Sequence, residues 1–351
     1  MDIAFVCDTM GSGGAERVIS TLSNEFVNRG HNVTIVMLSS VAEEPFYLLD
    51  NRINLVYLSR LSNKEKTFFK KAKTLKRVLI GINPDVVVSF LSYVCIYVWW
   101  ALKNIKIPYI VSERNDPNQR GKIKQFLLNK SFKKAVGCVF QTEDAFNWYS
   151  SIVKNKSIVI YNPVNLTFVP NKDIERKKQI LYVGRLNEQK NLFMLLDSFK
   201  VFVQNHSDFI LKIYGDGPLK NDLISYAKSI KVDQSIVFLS SSKSWQKDEY
   251  DSAMFVLPSK FEGMPNVLAE ALCLGIPSVS TDCPIGGPRE LKKVFPHYLI
   301  LSKDDSPKQF YLSMEKALAI VDIASSIPSV LDTSHIVEKW IDFIKTKIRQ
   351  K

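Results

Sequence analysis

Apolar residues along this chain follow two alternating rhythms. Short unbroken runs of Val, Ile, Phe and Leu read as buried strands. Longer stretches with apolar residues three and four apart read as helices. The first half gives strand Asp2–Asp8, helix Gly14–Arg29, strand Asn32–Leu38, helix Lys64–Ile82 and strand Asp85–Leu91. Helix Tyr93–Lys103, strand Tyr109–Ser112, helix Gly121–Lys134, strand Gly137–Gln141, a helix near Asp144–Tyr149 and strand Ser157–Tyr161 follow. A Pro-bearing passage, about Asn162 to Lys178, then interrupts the pattern and marks a domain boundary.

The rhythm restarts with strand Gln179–Val183, helix Leu192–Asn205 and strand Phe209–Tyr214. Helix Leu219–Ile230, strands Ser235–Leu239 and Met254–Leu257, a helix from Pro265 and strand Ser278–Thr281 come next. The last element, His335–Ile348, is an amphipathic basic helix. Alternating strands and helices predict an α/β protein with parallel sheets covered by helices. Two such halves predict two Rossmann-like, doubly wound domains, residues 1–165 and 166–334, with 335–351 packing back towards the first. Ligands of such sheets collect at the carboxyl ends of the strands, here in a cleft between the halves.

At 351 residues the chain suits two domains better than one core. Its apolar runs all fall short of the roughly 20 residues that span a bilayer. The start, MDIAFVCDTM, carries Asp2 and lacks a basic leader, so it reads as a strand and not as a signal peptide. Cys7, Cys95, Cys138, Cys273 and Cys283 are scattered without CxxC spacing, which fits buried thiols in a reducing cytosol.

The net charge of +12 is uneven. Arg60–Arg77 holds eight Lys/Arg against one Glu, with Phe68 and Phe69 interleaved, and Arg120–Lys134 holds six and no acid. Each could be a solvated helix face, with both Phe side chains turned to the core. Their shared place in the first half points instead to one basic surface facing an anion. No nucleic-acid motif accompanies them, so an anionic membrane is the expected partner, with Phe68 and Phe69 inserting.

The most telling stretch is Phe255–Thr281, FVLPSKFEGMPNVLAEALCLGIPSVST. Glu262 precedes a turn of Gly263, Met264 and Pro265. Asn266 and Glu270, four apart, share one face of the helix that follows. A helix start attracts phosphate, whereas carboxylates beside it suit sugar hydroxyls, so the inferred ligand is a nucleotide sugar.

Three further motifs sit at strand ends. LYVGRLNEQKN puts Arg185 and Lys190 on the loop leaving a strand. They could grip a diphosphate and stabilise its departing charge, or be ordinary loop charges with Asn191 capping the next helix. IYGDGPL ends a strand at Gly215 in a Gly-rich turn. GSGGAER (Gly11–Arg17) opens the first helix, with Gly13 and Gly14 allowing close backbone approach. It departs from G-x-G-x-x-G, and no acid ends the second strand, so a dinucleotide is a poor fit and a simple tight turn is the alternative.

GSGGAER, YVGRLNEQKN, IYGDGPL and PSKFEGMPNVLAEALCLGIP, in this order and spacing, resemble family 4 retaining glycosyltransferases of the GT-B fold over nearly the whole chain. SERNDP (Ser112–Pro117) and DCPIGGPREL (Asp282–Leu291) resemble bacterial members that build surface polysaccharides or lipid-linked oligosaccharides. The resemblance implies an acceptor-binding first domain and a nucleotide-sugar-binding second domain. It implies that Arg185 and Lys190 hold the donor diphosphate and that Glu262 holds sugar hydroxyls, in a pocket lined by Gly263, Met264 and Pro265. Glu270 would hold the ribose, and Gly13 and Gly14 would approach the diphosphate and the acceptor. Many members carry a His where this chain reads VSERND, so Glu113 or Arg114 would stand in for it. Gly286 and Gly287 would form another turn facing the donor, capped by Glu290.

By the same resemblance the sugar passes from a uridine nucleotide to a saccharide acceptor by front-face transfer, which needs no enzymic nucleophile because the β-phosphate takes the acceptor's proton. The chain shows no D-x-D clamp and no His/Cys cluster, so Arg185 and Lys190 would replace a divalent cation. The expectation is a cytoplasmic, metal-independent hexosyltransferase without a cofactor beyond its nucleotide-sugar co-substrate, peripheral on the inner face of the membrane and acting on a lipid-linked acceptor. A GT-B epimerase and a non-catalytic partner of another transferase are the alternatives. As a loop cation, Lys190 is expected to add little to the core.

Overall fold

Runs such as Val86–Phe90, VVVSF, are buried at every position, the mark of strands covered on both faces. The computed structural model describes all residues except 40–43, 62–66, 115–116, 118–120, 167, 169, 171–174, 322–324 and 351. Residues 64–66 of the expected Lys64–Ile82 helix, part of the basic stretch at 60–77, Arg120, positions 115–116 of SERNDP and part of the expected boundary passage therefore lie outside the described residues.

The first elements are β1 (Asp2–Cys7), α1 (Gly14–Asn28), β2 (Asn32–Met37), β3 (Asn54–Tyr57), α2 (Leu58–Leu61), α3 (Phe68–Ile82) and β4 (Val86–Phe90). Then come α4 (Ser92–Ala101), β5 (Tyr109–Ser112), α5 (Lys122–Lys134), β6 (Gly137–Phe140), α6 (Glu143–Val153) and β7 (Ser157–Val159). The second series is β8 (Lys177–Val183), α7 (Leu192–Asn205), β9 (Ile210–Tyr214), α8 (Lys220–Ser229), β10 (Ile236–Leu239), α9 (Trp245–Asp248) and β11 (Ser252–Leu257). It continues through α10 (Asn266–Cys273), β12 (Ser278–Thr281), α11 (Gly287–Val294), β13 (Leu299–Ser302) and α12 (Pro307–Leu318) to a closing helix, α13 (Thr333–Arg349).

Two compact units result: Met1–Pro163 with Val330–Lys351, and Val164–Ser329. The first has a parallel sheet in the order β3-β2-β1-β4-β5-β6-β7. The second is also parallel, in the order β10-β9-β8-β11-β12-β13. Each sheet grows outward from its first strand and then reverses. The reversal lies between β1 and β4 in one and between β8 and β11 in the other, and crossover loops part at such points to leave a crevice.

Helix α13 belongs to the first unit. Asp332 caps it by accepting the His335 N–H at 3.1 Å. Its apolar stripe of Ile336, Val337, Trp340, Ile341 and Ile344 joins the core formed by β1, β2, β4 and α1. Trp340 stacks on Phe90 with ring centroids 6.0 Å apart. Gly137 leaves room for the helix, since a Cβ there would come within 2.8 Å of the Phe343 ring.

The strand–helix rhythm did not disclose β3, α2, α9, α11, β13 or α12, and it started β11 two residues late. β3 is a four-residue edge strand exposed or half-buried along its length, so it lacks the buried apolar run that marks central strands. β11 carries a register irregularity between Ser252 and Met254, which interrupts its pattern at the start.

Candidate functional site

The reversal point of the second sheet gathers the residues singled out in LYVGRLNEQKN and PSKFEGMPNVLAE. β8 and β11 are neighbours, and the loops leaving their carboxyl ends lie side by side. The first loop ends in a 3₁₀ turn at Glu188–Lys190. The two loops are laced together: the Lys260 N–H donates to the Gln189 carbonyl at 2.8 Å, and Gln189 Nε2 donates to the Phe261 carbonyl at 2.9 Å.

Across this junction Lys190 Nζ meets Glu262 Oε1 at 2.5 Å, and Ser259 Oγ donates to the same oxygen at 2.7 Å. Ser259 is fixed in turn by Thr281 Oγ1, which donates to its carbonyl at 2.5 Å. Lys190 and Glu262 are only 9% and 8% exposed, so each charge has left most of its water and depends on the other. The expectation that Lys190 is a loop cation of little consequence for the core is therefore wrong. Asn191 is a second correction. It occupies the N-cap position of α7 in the left-handed conformation, φ 52°, without a side-chain capping bond.

The Glu262 charge reaches further. Burial first, and then this carboxylate, push the Tyr182 phenol well above its usual range and the Cys283 thiol up to about 12. The Tyr182 hydroxyl donates to the Arg185 carbonyl at 3.1 Å and so supports the loop. The Arg185 side chain is exposed, and nothing among the described residues pairs with its guanidinium.

Close backbone packing shapes the rest. A Cβ at Gly215 would lie 1.9 Å from the Gly184 carbonyl oxygen, so the IYGDGPL turn is pressed against the Arg185 loop. A Cβ at Gly287 would lie 1.6 Å from the Gly263 oxygen, which seats the DCPIGGPREL turn on the turn after Glu262. The neighbouring Glu290 carboxylate receives Lys293 Nζ at 3.0 Å. Met264 and Pro265 are buried, Asn266 opens α10, and Gly275 at φ 74° follows its end. Glu270, 1% exposed, accepts from Gln246 Nε2 at 2.8 Å.

Ser259, Thr281, Gln246 and Tyr182 were not singled out from the sequence. Ser259 had a signal, standing three residues before Glu262 in one loop. Gln246 had none, because its partner is 24 residues away.

The remaining candidates lie in the first unit. Gly13 is the N-cap of α1, and the space beside it holds the Glu16 carboxylate, 2.2 Å from where a Cβ would stand. Gly14 is the first residue of that helix. Glu113 and Arg114 follow β5 and are buried. Glu113 accepts from Ser92 Oγ at 3.0 Å, the Arg114 N–H at 2.9 Å and the Tyr149 hydroxyl at 3.4 Å. Arg114 donates from Nε to Ser112 Oγ at 2.8 Å and from Nη1 to Asn162, and lies 4.7 Å over the Phe90 ring. Burial pulls its pKa down to about 9, which leaves it charged at neutral pH.

Among the described residues no group of three His, Cys, Asp or Glu is placed to hold a metal ion, and no helix is long and apolar enough to cross a membrane.

Comparison with known proteins bears on these two sites. Residues 12–168 match the model of Glycosyltransferase Family 4, and residues 166–320 match that of Glycosyl transferases group 1. A relative from Campylobacter jejuni, the GalNAc-α-(1→4)-GalNAc-α-(1→3)-diNAcBac-PP-undecaprenol α-1,4-N-acetyl-D-galactosaminyltransferase, is 29% identical over 98% of both chains. The apo lipopolysaccharide outer core galactosyltransferase WaaB superposes with a TM-score of 0.74 at 21% identity, over 99% of this chain and 100% of the other. HepE of Anabaena, solved with UDP and glucose, superposes with a TM-score of 0.78 at 14% identity, over 99% and 100%. The two family models follow one another along the two parallel-sheet units, and the chain belongs to the family 4 glycosyltransferases of the GT-B fold.

Proposed function

We propose that this glycosyltransferase acts with retention, moving a hexose or N-acetylhexosamine from a UDP-sugar to a lipid-linked saccharide during bacterial surface-glycan assembly. The observation that carries the reading is the buried Lys190–Glu262 pair at the sheet reversal, with the exposed Arg185 beside it. A diphosphate arriving there takes Lys190 from Glu262 and gains Arg185 as a second, forked donor. Glu262, released but still held near Ser259, then accepts hydroxyls of the sugar. Glu270, oriented by Gln246, accepts the ribose hydroxyls. The acceptor oxygen attacks from the side the diphosphate leaves, and the β-phosphate takes its proton. Arg185 and Lys190 stabilise the developing charge in place of a divalent cation.

The UDP-bound relative supports the donor, and the undecaprenol-linked substrate named for the Campylobacter enzyme supports the acceptor class and a place of action at the inner membrane face. A thermal-shift panel of nucleotide sugars tests the donor, since a ligand of the folded state raises its melting temperature. A UDP-sugar is expected to give the largest shift. Product anomeric configuration by NMR, with and without EDTA, tests retention and metal independence. Acceptor-independent conversion of the sugar nucleotide would mark an epimerase instead.

A further inference from the structure

Three helices of the first unit, α3, α4 and α5, lie side by side, with α4 in the middle. Their sequences contain no Asp or Glu. α3 supplies Lys70, Lys71, Lys73, Lys76 and Arg77, and α5 supplies Lys122, Lys124, Lys130, Lys133 and Lys134.

The cations are interleaved with exposed apolar groups. On α3, Phe69 is 64% exposed and Ile80 48%; they share a face with Lys73 and Arg77. On α5, Ile123 is 80% exposed and Phe126 57%, and Lys130 lies 4.5 Å over the Phe126 ring. α4 joins the two. Its half-buried Tyr93, Tyr97 and Trp100 stand at helical spacing along one stripe. Phe68 packs on Tyr97 at 4.4 Å, Phe69 on Trp100 at 5.6 Å, and Lys124 sits 5.8 Å over Tyr93. Phe68 is thus partly absorbed by the protein, a correction to the expectation that both Phe residues insert.

We infer that α3, α4 and α5 form one continuous docking face for a membrane surface rich in acidic lipid. The cations meet phosphate headgroups, the Tyr and Trp side chains suit the polar–apolar boundary, and Phe69, Ile123 and Phe126 enter the acyl region. Nucleic acid would match the charge but leave the exposed aliphatic groups in water. A second copy would match the apolar groups but face its own positive charge. A membrane answers both.

The inference does not depend on the donor reading, and its test does not use sugar transfer. Full-length protein is floated with phosphatidylcholine vesicles, alone or with about a third phosphatidylglycerol, at about 0.1 M and about 0.5 M salt. Binding is expected only to the acidic vesicles, weaker at the higher salt. Each Lys→Gln change at Lys70, Lys73, Lys122 or Lys124 should weaken it about fivefold. Phe69→Ser with Phe126→Ser should weaken it at both salt concentrations, and melting temperatures identical to the parent show that the variants fold. Equal binding to neutral vesicles, or none to acidic ones, overturns the inference. So does wild-type affinity in the α5 variants, tighter binding to single-stranded RNA than to acidic vesicles, or a dimer dissolved by the Phe changes.

Discussion

The two units place a buried cation and a buried carboxylate at the carboxyl edge of the same kind of sheet, yet wire them differently. In the second unit Lys190 and Glu262 come from different loops, 72 residues apart, and meet each other. In the first, Glu113 and Arg114 are neighbours in sequence. Arg114 is held by Ser112 and Asn162 against the Phe90 ring, and Glu113 is held by hydroxyls and a backbone N–H. A lysine point charge satisfied by a single carboxylate can exchange it for a phosphate. A guanidinium fixed by a rigid fork and an aromatic face cannot be released so readily. One edge is arranged for exchange, the other for rigidity.

The sharpest way to break this contrast is Lys190→Ala. Loss of a cation from developing charge should cut turnover about a hundredfold or more. Glu262 is left buried without its partner, so stability should also fall by about 3–5 kcal/mol in urea unfolding. Changing Lys190→Met together with Glu262→Leu should restore most of the stability and none of the turnover. Parental turnover in Lys190→Ala would remove the donor role, and parental stability would show that the pair carries no weight in the fold.

Arg114→Met should cost about 1–3 kcal/mol, because Asn162 loses a charged donor while burial of the charge is relieved. Donor affinity should stay within about twofold of the parent. A loss of donor binding like that of Lys190→Ala would make the two edges equivalent. The smallest effect is expected for Gln246→Leu, which loosens Glu270: donor affinity should drop about fivefold by calorimetric titration, as for one hydrogen bond. Unchanged affinity there would separate Glu270 from the ribose.

The sequence disclosed the sheets because their central strands are unbroken apolar runs between helical stretches, as in Val86–Phe90 and Met254–Leu257. β3 and β13, four-residue edge strands with at most two buried positions, escaped. Arg185, Lys190 and Glu262 were legible as residue types on loops that leave strands, and Glu270 on the helix that follows. That Lys190 spends its charge on Glu262 was not, because periodicity describes each loop alone and says nothing of which loop lies beside it. The basic face was legible as two separate segments; α4, with no charge of its own, gave no hint that it joins them.

The return of α13 to the first unit has a consequence for how the chain is made. Emerging from the ribosome, residues up to Pro163 have every strand of their sheet but not Trp340, and Phe90 lacks its stacking partner. The second unit is complete before that partner is synthesised. At about 5–20 residues per second the first unit waits for its last helix for roughly 10–40 s. During that interval the apolar face that α13 covers, Phe90 included, stands without its cover, and a chain cut short before α13 would hold both sheets yet leave that face open.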